Sequence, residues 1–332
     1  MPDQAAGQRA AALDLRAAAR AMLDARAVVL CAHVSPDGDA VGAVLALTLA
    51  LRAAGVDATP TLADPVGPPA TYSFLPGFSL YRPSADLGGI DLFAAIDVPN
   101  LDRLGAAEHL ATSARSILVI DHHPDNAMSG SLNVVDPGAA AVGQMVWHML
   151  PHLRVVPTPQ IALCCYVALM TDTGRFSYGN TDSRTLRDAA EMVDAGADPS
   201  RAYSLVYESR SPAYMRLLGL TLSRVTHANG GKVAYSWYTA EDLASTGARS
   251  DEAEDLVDAV RAVGDVEVVF LIKAADGSSR VSLRAKDSFD VGAVARELGG
   301  GGHAAAAGAT VDGGVDEALA AILPLIQQGA RA

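Results

Sequence analysis

Apolar residues in the first two-thirds of this chain come in short unbroken runs, each closed by a polar or acidic cluster. Residues 28–34 (VVLCAHV) form such a run and read as a buried strand. The polar turn SPDGD follows, and then a helix-like run, AVGAVLALTLALRAAG, stopped at Gly55. Strand, loop and helix in that order open a βα unit. DATPTLAD, GIDLFAAIDVPN and SILVIDHH read as further strands, whereas QIALCCYVALMTDTG is long enough to predict a helix. TDSRTLRDAAEMVDAGADPS predicts a capped helix with apolar positions Leu186, Ala190 and Val193 and a stop at Gly196. This alternation predicts an α/β fold with a parallel sheet and helices on both faces.

Residues 198–225, interrupted by Pro199 and Pro212, read as a helical connector. Beyond them GKVAYSWYT, VEVVFLIKAA and SSRVSLRAK read as strands around a helix, SDEAEDLVDAVRAV. The expected organisation is therefore residues 1–197 as one domain, 198–225 as connector and 226–332 as a smaller α/β domain. A chain of 332 residues suits two domains.

Composition narrows the function. The net charge of −13 argues against binding long duplex nucleic acid, which needs a basic face to neutralise phosphates. It leaves room for a small anion held at one local cluster. No run of eighteen or more apolar residues lacks a charge, so no membrane span is expected. The Ala-rich opening residues read as an amphipathic helix rather than a signal peptide. Cys31, Cys164 and Cys165 lie inside apolar runs, without a CxxC, which fits a reducing cytoplasm and argues against thiolate zinc.

The acidic and histidine residues gather at strand ends. His33, Asp37 and Asp39 follow the first strand, Asp97 ends another, and Asp121, His122 and His123 close a third; Asp172 ends the long helix. In open parallel sheets that edge is where ligands bind. Singly, each has an ordinary explanation: Asp37-Gly38 as a turn, Asp97 or Asp121 as a helix cap, a histidine as a satisfied core residue. A calcium loop starting at Asp37 fails, because Val41 stands at the fifth position where it needs a ligand and Thr48 at the twelfth where it needs glutamate, although Gly42 fits the sixth. So many carboxylates at one point repel one another. A pair of divalent cations removes the conflict, and carboxylate plus imidazole suits Mn²⁺ or Mg²⁺. Two such ions are standard apparatus for phosphoester hydrolysis. In the second domain ELGGGGHAAAAGAT places Gly299–Gly302 before His303, with Arg284 on a preceding strand. Backbone N–H groups of such a glycine run are suited to holding a phosphate. His109, His148, His152 and His227 have no comparable company.

HVSPDGDAVGA, AIDVPNLDRLG, VIDHHPDN, MTDTGRFSYGNTD and SLRAKDSFDVGAVARELGGGGHAAAAG occur in the order found in the DHH phosphoesterase superfamily. The chain resembles that superfamily over roughly residues 25–310, and most resembles its nanoRNase branch: cytoplasmic, manganese-type oligoribonucleases that also remove phosphate from 3′-phosphoadenosine 5′-phosphate (pAp). The resemblance implies an N-terminal catalytic domain and a DHH-associated substrate domain across a cleft. It implies two divalent ions, most often Mn²⁺ with Mg²⁺ or Co²⁺ as alternatives. His33 and Asp37 would hold the first and Asp39, His122 and Asp172 the second, with Asp97 between them. It implies that Asp121 orients the histidine pair and that His123 faces the substrate phosphate. Arg284, Gly300, Gly301, Gly302 and His303 would hold the far end of the nucleotide. Short RNA oligonucleotides, pAp and dinucleotides are the implied substrates, and a homodimer the implied assembly. Ala43 replaces the serine usual in the first motif, and Ala285-Lys286 follows SLR where serine is common. A cyclic-di-AMP phosphodiesterase, an inorganic pyrophosphatase and a silent nucleotide sensor are the competing readings. The glycine–histidine segment counts against the pyrophosphatase and the full ligand set against the sensor.

Overall fold

The computed structural model describes residues 15–64, 67–253, 255–275, 277–286 and 289–329. They belong to two compact units, Met1–Glu208 and Ser209–Ala332. The part of the expected opening helix before residue 15 lies outside the described residues. No helix among the described residues is long and apolar enough to cross a membrane.

In the first unit β1 (Ala27–Cys31), β2 (Asp57–Pro60), β3 (Leu92–Ile96), β4 (Ser116–Asp121) and β5 (Leu132–Val135) form one parallel sheet in the order β2-β1-β3-β4-β5. Residues of β1 alternate between two cores: Val28 and Leu30 enter one, Val29 and Cys31 the other. Both faces are thus covered, which is why the strands read as continuous apolar runs. The larger core holds α1 (residues 15–24), α2 (Gly38–Ala53), α4 (Val142–Met149), α5 (Pro159–Asp172) and α6 (Ser183–Asp194). The smaller core takes α3 (Glu108–Ser113) and the turn before it.

Helices α2, α4 and α5 approach closely because glycine stands at their crossings. A Cβ at Gly42 would lie 2.6 Å from the Cys164 carbonyl oxygen, and one at Gly143 would strike Ala168. At Gly38 it would strike Thr171, near the end of α5. The α2 start is thereby pressed onto the α5 end.

Helix α6 carries the expected cap, with Asp182 accepting the Thr185 N–H. Its buried stripe is Thr185, Asp188, Ala189 and Met192, while Leu186, Ala190 and Val193 face outward. The turn of the helix follows its polar anchors, since Asp188 is bonded by Gln144 and His148. The segment 198–225 is helical, and its two helices divide between the units. In α7 (Pro199–Tyr207), Ala202 and Val206 enter the first unit's core; in α8 (Pro212–Ser223), Tyr214 and Leu217 enter a core of the second. Both prolines sit in the first turn, where a missing N–H costs nothing.

The second unit is a six-stranded mixed sheet in the order β10-β11-β9-β8-β7-β6. The strands are β6 (Thr226–Ala228), β7 (Val233–Thr239), β8 (Val268–Ala275), β9 (Ser278–Ala285), β10 (Gly301–Gly302) and β11 (Ala306–Asp312). Only β7 and β8 run parallel. α9 (Ala240–Thr246) and α10 (Leu256–Arg261) accompany α8 beside the sheet, with Leu256 and Val260 in the same core as Tyr214. α11 (Val291–Glu297) and α12 (Val315–Gly329) supply the other core.

Candidate metal centre

The carboxyl ends of β1, β3 and β4 bring the sequence-predicted residues of the first unit to one place. Asp37 caps α2 by accepting the Ala40 N–H at 3.0 Å, so it stands at the mouth of the site. Asp39, in the first turn of α2, is buried. Asp97 follows β3 in a left-handed conformation (φ 60°), held by its N–H donating to the Ile120 carbonyl at 2.9 Å. Such backbone strain persists only where the surroundings fix it, and it gathers at functional sites.

Two histidines are oriented by backbone carbonyls. A carbonyl only accepts, so His33 Nδ1–H donates to Val34 O (2.8 Å) and His122 Nδ1–H donates to Ala139 O (3.1 Å). That sets Nε2 of each toward the acids. His33 Nε2 lies 3.6 Å from Asp97 Oδ2. His122 Nε2 lies 3.4 Å from Asp172, 3.7 Å from Asp97 Oδ1 and 3.8 Å from Asp39. His123 differs: its Nδ1–H donates to the buried Asp121 at 2.8 Å, and Asn126 Nδ2 donates to the other Asp121 oxygen at 2.6 Å. The adjacent histidines thus have different anchors, a backbone carbonyl and a carboxylate.

The charges conflict as they stand. Burial together with Asp97 and Asp172 holds the Asp39 carboxyl well above the usual range. Burial also lifts Asp172, to about 7, although His122 opposes the rise. Burial disfavours charge on the histidines, yet the carboxylates outweigh it, raising His33 to about 9 and His122 to about 10. Asp97 is driven well below its ordinary value, since the three histidines overcome its burial. Its Oδ1 is buried without a hydrogen-bond partner among the described residues. An orphaned buried carboxylate oxygen is costly unless a cation meets it. His33, Asp37 and Asp97 can each offer an atom to one ion, and Asp39, His122 and Asp172 to another, the atoms of each group lying within 4.8 Å of one another. The donor set, the fixed Nε2 positions and the orphaned oxygen all fit divalent cations.

In the second unit the glycine run is structured rather than a loose cradle. Gly299 (φ 74°) ends α11; its N–H donates to Arg296 O (3.0 Å) and that of Gly300 to Ala295 O (2.8 Å). This is a Schellman cap. The N–H of Gly300 is therefore committed within the cap. Gly301 and Gly302 form β10 against β11, where a Cβ at Gly300 or Gly302 would run into the β11 backbone. His303 follows in a tight turn, donating its N–H to Ala306 O. Arg284 on β9 donates to Asp258 at 3.3 Å.

Sequence reasoning passed over several residues that shape the site. Asn126 and the Ala139 carbonyl carry no chemical signature of their own. Asn180 Nδ2 donates to both Ala140 O and Asp172 O at 3.1 Å. His148, read as ordinary, donates to buried Asp188 at 2.8 Å.

Residues 27–169 match the DHH family, N-terminal domain, and residues 230–330 match the DHHA1 domain. The chain belongs to the DHH family, with a DHHA1 second domain. Among its relatives is the bifunctional oligoribonuclease and PAP phosphatase NrnA of Thermus thermophilus. The two are 35% identical over 304 residues, which cover 91% of this chain and 89% of that protein. NrnA of Bacillus subtilis is 28% identical over 289 residues, covering 86% and 89%. A crystal structure of an exopolyphosphatase-related protein from Bacteroides fragilis shares the fold with a TM-score of 0.84 at 22% identity, covering 95% of this chain and 96% of that one.

Proposed function

We propose that this protein is a two-metal phosphoesterase that hydrolyses short oligoribonucleotides to 5′-mononucleotides and pAp to AMP. The observation that carries the reading is the pair of ligand groups that meet at Asp97, one of whose oxygens is buried and unbonded. His33, Asp37 and Asp97 would hold one ion, and Asp39, His122 and Asp172 the other, with Asp97 reaching toward both. Bound there, divalent cations would polarise a phosphoryl oxygen and ready a water for attack. Carboxylate and imidazole donors favour Mn²⁺ as the working ion.

The two substrates present one bond. In pAp and in a 5′-phosphorylated dinucleotide alike, the phosphorus lies on the 3′-oxygen of a nucleoside 5′-phosphate. Attack by water forms a new P–O bond and breaks the bond to that 3′-oxygen, which leaves with a proton. AMP and phosphate result in the first case, two 5′-mononucleotides in the second. His123, steadied by Asp121 and Asn126, serves as the donor to the phosphoryl oxygens or the departing 3′-oxygen. Arg284, Gly300, Gly301, Gly302 and His303 are the proposed nucleotide contacts of the second unit.

NrnA relatives aligned along nearly all of the chain support this choice, and the DHHA1 match over residues 230–330 weighs against an inorganic pyrophosphatase. The test is product analysis with Mn²⁺ on pAp, a diribonucleotide, a pentaribonucleotide, cyclic di-AMP and pyrophosphate in parallel. AMP from pAp and mononucleotides from the dinucleotide are expected. Cleavage of pyrophosphate or cyclic di-AMP alone would overturn the assignment.

A further inference from the structure

Residues 139–143 (AAAVG) carry no titratable side chain, yet their peptide groups bond two of the six candidate ligands directly and reach the backbone of a third through Asn180. Ala139 O receives His122 Nδ1–H, and the N–H groups of Val142 and Gly143 donate to the two oxygens of Asp39 at 2.6 and 2.8 Å. Asn180 ties Ala140 O to Asp172 O with one amide nitrogen. Asp39, His122 and Asp172 are the members of one ligand group. Among the described residues no hydrogen bond joins this tract to His33, Asp37 or Asp97, which belong to the other; His33 and Asp37 bond to Val34 and Ala40.

The tract is itself anchored. The buried Gln144 accepts the Ala140 N–H at 2.8 Å and donates to Asp188 Oδ2 at 2.6 Å; His148 donates to the same Asp188 oxygen. Packing alone would be served by an apolar residue at 144, since a buried amide and a buried carboxylate are tolerated only while bonded. The network's evident output is a fixed Ala139–Ala140 segment. Without the Gln144 acceptor, Ala140 N–H is orphaned, the tract loosens, and the carbonyl that fixes the His122 ring shifts.

We propose that Gln144, Asp188 and Asn180 are positioning residues for the Asp39–His122–Asp172 group, acting on that one cation site and not on its neighbour. This rests on the two-metal reading above. Groups that orient ligands typically change metal affinity 10–100-fold when removed.

The experiment is a Mn²⁺ titration of the full chain after chelation, by calorimetry with spin-resonance counting of free ion. Wild type, Gln144→Leu, Asn180→Ala, Asp188→Ala and Asp188→Asn are compared. Wild type is expected to bind two ions. Gln144→Leu and Asn180→Ala should keep one site and weaken the other by about tenfold or more. Asp188→Ala should weaken the same site, and Asp188→Asn should restore it, because both donors use one oxygen that asparagine retains. If Gln144→Leu fails to fold, Asn180→Ala, a change at an exposed loop residue, carries the test. Two sites weakened alike, or none changed, would overturn the proposal. A wild-type chain that binds no Mn²⁺ would instead sink the two-metal reading beneath it.

Discussion

Replacing Gly42 by alanine sets two effects of opposite sign against each other. In the interior of a helix, Gly→Ala gains about 1 kcal/mol of helix propensity. Against it stands the crossing with α5. A Cβ at position 42 would lie 2.6 Å from the Cys164 carbonyl oxygen, 3.0 Å from Ala168 Cβ and 3.1 Å from the Ala168 nitrogen. Two of these obstacles are backbone, so no side-chain rotation relieves them and α2 must move off α5. Overpacking of this kind costs about 1–3 kcal/mol, and rigid neighbours place it at the upper end. The net expectation is a loss of about 2 kcal/mol, which for a unit of this size lowers Tm by about 4–8 °C. Asp39 moves with α2 and Asp172 with α5, so Mn²⁺ affinity should fall together with stability. Thermal unfolding followed by circular dichroism, with a parallel Mn²⁺ titration, reads both. A Tm at or above wild type would mean that propensity outweighs the crossing, and would refute the close-approach argument.

Asn126→Ala removes a 2.6 Å donor from Asp121, the anchor of His123. It should lower kcat on pAp about tenfold with little change in KM; an unchanged kcat in steady-state assays would detach Asn126 from the chemistry. Gly299→Ala meets open space but must keep φ near 74°, a cost of about 1 kcal/mol, while Gly300→Ala drives a Cβ into the Gly308 carbonyl and should cost over about 2 kcal/mol. Urea unfolding should rank them in that order, and equal losses would contradict the β10–β11 contact. Burial opposes the charge of Asp188, yet His148 and Gln144 hold its pKa below the ordinary value. A depressed folded pKa adds stability above the unfolded value of about 4 and loses it as pH falls through the folded one. Asp188→Asn should therefore flatten the fall in unfolding free energy below about pH 4. An unaltered acid slope would show that the carboxylate contributes nothing there.

The parallel sheet was legible because its strands are buried on both faces and read as bare apolar runs. The candidate metal centre could be named for a related reason: acids and histidines stand directly at the ends of those runs, where an α/β sheet binds its ligands. Strand β5 was not, since LNVV is short and half-buried. The β10 strand was hidden by its composition, because four glycines look like a loop until β11 is seen to need their missing side chains. The inward face of helix α6 was not legible, because its buried stripe includes polar anchors such as Asp188. Residues such as Gln144 and Asn180 act by bonding backbone groups 4 to 40 positions away in sequence, and no local pattern announces that.

Asp97 is the residue on which the account depends most, for among the described residues it alone has a carboxylate within 4 Å of His33, His122 and His123. The most direct test is hydrolysis of pAp and a diribonucleotide by Asp97→Ala beside wild type, with Mn²⁺, Mg²⁺ and Co²⁺ supplied in turn and folding checked by circular dichroism. The account predicts product from wild type and none from the variant with any of the three ions. Substantial hydrolysis by a folded Asp97→Ala protein would contradict a centre built on a carboxylate shared between two cations.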